Sequence, residues 1–143
     1  MLGTPAAEGD EKLRKLLHHI HNVQQLFLQV WKEVPLTFTK PSSFTNLAAM
    51  EQWTRPYYPE AHEFLARLTT TDLEKRIIMP WVPEFEKRQG VTFATPTLAE
   101  TIFQVTSHST YHRGQVNVRL REVGGNPPLV DFIAWVWLGK PTP

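Results

Sequence analysis

The spacing of apolar residues between Asp10 and Val34 is the feature that most restricts the fold of this chain. Apolar side chains recur there at intervals of three and four residues, which places them on one face of an α-helix. Asp10 favours the start of this helix and Pro35 ends the pattern. The segment therefore predicts a long helix with one buried face, made by Leu13, Leu16, Leu17, Ile20, Val23, Phe27, Val30, Trp31 and Val34.

Three further segments have the signals of helices. A capping box from Thr97 to Glu100 opens a long helix to about Val123, and the run Gly124 to Pro128 ends it. A helix from about Phe44 to Leu68 is expected to break near Arg55 to Pro59, where two prolines interrupt it. A short last helix, Leu129 to Leu138, is apolar nearly all round. These elements predict an all-α fold, a helical bundle of the up-down four-helix type.

The segment from Ile77 to Thr95 does not have a helical pattern. Pro80 and Pro83 lie within it, and the residues around Gly90 favour a turn. Residues 91–93 have the composition of a short strand, which predicts a β-hairpin insertion with residues 76–79.

Length and charge restrict the organisation and the partners of the chain. Its 143 residues are enough for one domain, expected over residues 10–140 after a flexible leader over residues 1–9. With 15 basic and 14 acidic residues the net charge is +1, and no basic run favours nucleic acid or an anionic membrane. No apolar run is long enough to span a membrane and no signal peptide is recognisable, so a cytoplasmic protein is expected.

The chain contains no cysteine, which leaves His, Asp and Glu as possible metal ligands. His108 and His112 are four residues apart on the predicted long helix, and both are expected to face the bundle interior. Two inward imidazoles in contact are costly unless they are hydrogen-bonded or bind a cation. The spacing therefore indicates either a metal site or a satisfied pair of core histidines.

A third ligand is expected from the first helix, which contains His18, His19 and His21. On a helical wheel His18 points opposite the apolar stripe, His21 lies well off it, and His19 lies closest to it. The predicted ligands are therefore His19, His108 and His112. Three imidazoles with an open coordination position suit Zn²⁺, Ni²⁺ or Fe²⁺.

The segment His108-Ser109-Thr110-Tyr111-His112-Arg113-Gly114-Gln115, with Leu120-Arg121, Gly124-Gly125, Pro127-Pro128 and Asp131, closely resembles the C-terminal signature of the DinB/YfiT-like family of metalloenzymes. The segment Leu16 to Ile20 resembles the earlier helix of that family, and the motif places the third ligand at His19. The resemblance extends from about residue 10 to residue 140. It implies a helical bundle, a three-histidine site, frequent dimers and, in some relatives, reactions that use low-molecular-weight thiols.

Two departures from the family pattern bear on the site and the assembly. Only about ten residues precede the helix of His19, where relatives have another helix, so the bundle is either completed by a partner chain or covered in another way. Gln104 stands where many relatives have histidine, and is interpreted as a pocket-lining residue. Gln115 is expected to contact bound water or a ligand imidazole. Asp131 is expected to cap the last helix or to orient an imidazole.

The sequence therefore predicts a metal-dependent enzyme that acts on a small molecule. A thiol-dependent S-transferase or isomerase is favoured, because no acid lies beside His108 or His112 on their helix face. The alternatives are a metal-dependent hydrolase, which needs such a base, and a non-catalytic, stress-associated metal-binding protein. A homodimer is expected.

Overall fold

The computed structural model describes residues 5–141 of the chain. Within these residues the regular elements are α-helices, one 3₁₀ turn at Pro41–Ser43 and a single isolated β-bridge between Arg76 and Thr97. The helices are α1 (Pro5–Glu8), α2 (Glu11–Trp31), α3 (Leu47–Thr54), α4 (Tyr57–Ala66), α5 (Thr70–Leu73), α6 (Val82–Gln89), α7 (Leu98–Glu122) and α8 (Phe132–Trp137). The predicted all-α fold is confirmed.

Helices α2 and α7 form the centre of the molecule and run antiparallel. At the start of α2, Asp10 accepts hydrogen bonds from the Arg119 guanidinium near the end of α7. At the other end, the Trp31 indole N–H donates to Thr101 Oγ1 at 3.0 Å. These two contacts fix the register of the two helices over their whole length.

Two apolar clusters lie along this helix pair. The first joins Phe27, Leu28 and Trp31 of α2 to Leu98 and Val105 of α7, and also takes in Ala61 of α4. The second joins Leu13 and Ile20 to Val116 and Leu120, with Ala7 of α1 packed beside them. On α7, therefore, the stretch between Val105 and Val116 lies between the two clusters, and this stretch holds His108 and His112.

The expected break between α3 and α4 is confirmed. Helix α3 ends at Thr54, and α4 begins at Tyr57 directly after Pro56. A proline at this position cannot donate the backbone hydrogen bond that a continuous helix needs. The break lets both short helices pack against α2.

The predicted β-hairpin insertion was wrong. Residues 82–89 form helix α6 instead, with Pro83 in its first turn and Gly90 in the left-handed conformation at its end (φ 68°). A proline is accepted in the first helical turn because the N–H groups there have no partner within the helix. Pro83 therefore marks a helix start rather than a break.

The first residues of the described chain pack against the second cluster. Residues 5–8 form one helical turn and Ala7 is fully buried, whereas a flexible leader was expected over residues 1–9. Residues 1–4 of that expected leader lie outside the described residues. None of the helices within residues 5–141 has the length and apolar character to cross a membrane.

The Asp10–Arg119 ion pair generates a prediction about acid stability. The Asp10 side chain is 11% exposed, and the hydrogen bonds from Arg119 and from the Leu13 N–H lower its pKa from 3.8 to about 2. A depressed carboxylate pKa stabilises the fold above the unfolded value, and this contribution is lost as pH falls from about 4 towards about 2. Asp10→Asn should therefore lower the free energy of unfolding at pH 6 and flatten its decrease across that window, as measured by urea denaturation.

Glu84→Gln is the control. Glu84 is an exposed acid on α6, so its replacement should leave the pH dependence of the free energy of unfolding unchanged. An Asp10→Asn profile as steep as that of the unmodified protein would show that this ion pair does not contribute to the acid dependence.

Candidate metal centre

The structure brings His19, His108 and His112 together. One ring nitrogen from each lies within 4.8 Å of the other two, and His19 Nε2 is 3.1 Å from His108 Nε2. The three ring centroids are 4.4–4.9 Å apart. Helix α2 supplies the first of these side chains, and α7 supplies the other two from successive turns.

The geometry of this group is compatible with a metal ion as well as with a hydrogen bond between His19 and His108. Nitrogens bound at about 2.0–2.1 Å in a tetrahedral site are separated by about 3.3 Å, close to the distance between the His19 and His108 nitrogens. Within residues 5–141, no Asp or Glu oxygen joins the group. The donor set is therefore three imidazoles, which suits Zn²⁺, Ni²⁺ or Fe²⁺.

The surroundings of His19 and His108 favour the neutral imidazole, which is the form that binds a cation. Burial lowers the pKa of His19, and the positive charge that His112 would carry lowers it further. Burial also lowers the pKa of His108, followed by the charges of His112 and His19. Protonating one ring disfavours protonating its neighbours. At neutral pH His19 and His108 consequently offer lone pairs rather than positive charge.

Gln115 orients the His112 ring. Its Oε1 atom lies 2.7 Å from His112 Nδ1, one turn further along α7. A hydrogen bond from Nδ1–H to this oxygen leaves Nε2 unprotonated and free to bind a metal, as expected for a residue that supports a metal ligand. The contact between Gln115 and the His112 imidazole is present.

His108 differs from His112 on this point. Its Nδ1 atom is buried and has no hydrogen-bond partner among the described residues. An imidazole with a buried and unpaired nitrogen is costly in a protein interior. This cost indicates that His108 is held in place for a reason other than packing.

The helical wheel predicted the wrong environment for His18, which is buried. It is 6% exposed, its Nε2 lies 2.9 Å from Thr39 Oγ1, and its ring stacks on Trp53 with the centroids 5.5 Å apart. The loop after α2 and the side chains of α3 cover this side of α2, so the helix has a second buried face. His18 is a satisfied core histidine, while His19 is the more exposed of the two.

The remaining candidates make no hydrogen bond to the three histidines among the described residues. The Gln104 side chain is exposed and makes no hydrogen bond within residues 5–141. Asp131 is the N-cap residue of α8, but its side chain makes no capping hydrogen bond, and it lines a cavity that none of the three histidines lines. Arg113, next to His112 in the sequence, donates to Thr110 Oγ1.

One set of polar contacts was missed at the level of sequence. Gln24 Oε1 lies 2.9 Å from His21 Nδ1, and Gln24 Nε2 donates to Ser109 Oγ on α7 at 3.3 Å. These contacts join the two helices beside the histidine group. The i to i+3 spacing of His21 and Gln24 was the available signal, although it does not reveal Ser109.

The comparison with known sequences agrees with this arrangement. The profile of the DinB family matches residues 2–141, which is nearly the whole chain. The chain belongs to the DinB family. No curated protein and no solved structure matches it significantly. The DinB assignment therefore supports the fold and the histidine group, and the reaction has to be argued from the site itself.

The contact between Gln115 and His112 generates a prediction about metal affinity. Gln115→Ala should weaken Zn²⁺ binding by about 10- to 100-fold, because the His112 ring loses the acceptor that fixes its tautomer. Competition with a chromogenic chelator at pH 7.5 measures this change.

Gln104→Ala is the matched control on the same helix and should leave Zn²⁺ affinity unchanged, because the Gln104 side chain is exposed. Equal losses in the two variants would mean that Gln115 does not act through His112.

Proposed function

We propose that this DinB-family protein is a metal-dependent enzyme that acts on a small molecule at His19, His108 and His112. The observation that carries the proposal is the convergence of three imidazoles on one point with His19 still exposed to solvent. A structural site normally encloses its ion with four protein ligands. Three ligands beside an exposed side leave space for a reacting molecule.

We favour a thiol-dependent S-transferase or isomerase with a low-molecular-weight thiol as cosubstrate. A divalent cation held by these imidazoles would favour the thiolate form of a thiol at neutral pH. The protein would contribute three oriented ligands, with His112 fixed by Gln115 and His108 by burial. The exposed side of His19 is the direction from which an electrophile would approach.

The charges around the site support this preference over hydrolysis. A hydrolase needs a base to remove a proton from water. The electrostatic causes of the lowered pKa values of His19 and His108 are other histidines, and no carboxylate is among them. A metal-dependent hydrolase is the second candidate. A non-catalytic metal-binding protein is the third, and the exposure of His19 counts against it.

We also propose a homodimer that buries the end of helix α8, at Trp137 and Leu138. Trp137 and Leu138 are 77% and 68% exposed at its end, although the helix is almost entirely apolar. Large apolar side chains clustered on a surface are typical of protein interfaces. A second copy of the chain is the occupant consistent with the dimers expected from the family resemblance.

The activity proposal is tested with protein loaded with Zn²⁺, Ni²⁺ or Fe²⁺. Loaded protein should accelerate the reaction of a low-molecular-weight thiol with an aryl halide, and His19→Ala should lose both the bound metal and the acceleration. Elemental analysis and absorbance of the thioether product measure the two quantities. His62→Ala, which removes an exposed histidine on α4, should change neither.

Other outcomes would decide against the favoured reaction. Ester hydrolysis that requires His19 but no thiol would favour the hydrolase. Stoichiometric metal without either activity would favour the non-catalytic protein.

The dimer proposal is tested by light scattering at micromolar concentration. The unmodified chain should have twice the mass of a monomer, and Trp137→Glu should shift it towards monomer because a charge is then placed in an apolar interface. Phe38→Glu, at an exposed aromatic residue in the loop after α2, should leave the mass unchanged. A monomeric unmodified chain would refute the dimer.

A further inference from the structure

A cavity of about 480 Å³ lies between α7 and the segment 129–135, on a part of the molecule that does not include the three histidines. Gln24 of α2 and Tyr57 of α4 contribute to its wall. We refer to it as the C-terminal cavity. Its volume is in the range of cavities that hold small organic molecules.

Arg113 supplies the positive charge of this cavity. It is half-buried, and its guanidinium donates one hydrogen bond to the described residues, to Thr110 Oγ1 at 2.8 Å. Its Nε atom is buried without a partner. Within residues 5–141 Arg113 forms no ion pair, whereas the half-buried Arg119 has two acidic partners. Arg14 is also half-buried and also has a buried Nε without a partner, but its other N–H groups donate to two backbone oxygens. An unpaired guanidinium with a buried N–H is costly unless an anion approaches it.

The rest of the wall combines donors with apolar surface. Burial raises the pKa of Tyr57 to about 12, so its hydroxyl remains a neutral hydrogen-bond donor at physiological pH. Apolar surface comes from Val105 on α7 and from Phe132 and Trp135 on the C-terminal segment. A ligand here would place an anionic group against Arg113 and an apolar body against these side chains.

We propose that the C-terminal cavity binds a small monocarboxylate with an aromatic or branched apolar body. The planar guanidinium has N–H donors in the fork arrangement that a carboxylate accepts. Asp131 also lines the cavity and brings one negative charge. That charge disfavours a dianion such as a phosphate monoester. A single carboxylate is therefore the anion that best matches the charges of the cavity wall. The proposal does not depend on the metal centre.

Benzoate and its neutral isostere benzamide are suitable probes. Benzoate should bind the full chain with a dissociation constant in the millimolar range or tighter, and benzamide at least about tenfold more weakly, because it lacks the charge that pairs with Arg113. Ligand-detected NMR titration measures both constants. Arg113→Gln should remove the difference between the two probes, whereas Arg113→Lys should retain part of it.

Matched variants separate this site from the metal centre and from general charge effects. Arg121→Gln removes an exposed arginine of the same helix and should leave benzoate affinity unchanged. His19→Ala should also leave it unchanged, whatever it does to metal content. Asp131→Asn should tighten benzoate binding, because a like charge is removed. Equal affinities for benzoate and benzamide, or a benzoate affinity that Arg113→Gln does not alter, would overturn the proposal.

Discussion

The antiparallel pairing of α2 and α7 is the constraint on which the rest of the structure depends. Two polar contacts fix it, the ion pair between Asp10 and Arg119 at one end and the hydrogen bond from Trp31 to Thr101 at the other. Between them, the two apolar clusters supply most of the burial. Because the clusters are separate, the middle of the helix pair is free for polar residues. The histidine group occupies this interval, where both helices are held from both sides.

This arrangement places an unfavourable group where the fold can tolerate it. Three imidazoles in contact, two of them (His19 and His108) with lowered pKa values, and an unpaired His108 Nδ1 do not stabilise the helix pair by themselves. The clusters on either side offset this cost, so the rings are held close together before any cation binds. Ligands positioned in advance do not lose further conformational entropy on binding. Stability and the candidate function are therefore assigned to different stretches of the same two helices.

The sequence predicted most where a regular period and a local signal coincided. The apolar spacing identified α2, the Thr97 to Glu100 capping box fixed the start of α7, and Pro56 marked the break before α4. The prediction failed where the same kind of residue or pattern is compatible with two different structures. Pro83 begins α6 rather than preventing a helix, and a wheel with a single apolar stripe could not show that α3 covers His18. The surroundings of Arg113 could not be predicted from the sequence either, because they depend on where the chain packs after α7.

The separation of the ligands along the chain has a consequence for folding. His19 and His108 are 89 residues apart, and their contact closes most of the chain into one loop. Closing a loop of that length costs on the order of 4 kcal/mol in chain entropy, in addition to a constant term. The apolar clusters close this loop during folding, so an incoming ion does not have to. A ribosome-bound chain that has emerged only as far as α4 would hold one of the three ligands, and an ion would meet a complete set only after α7 has been synthesised.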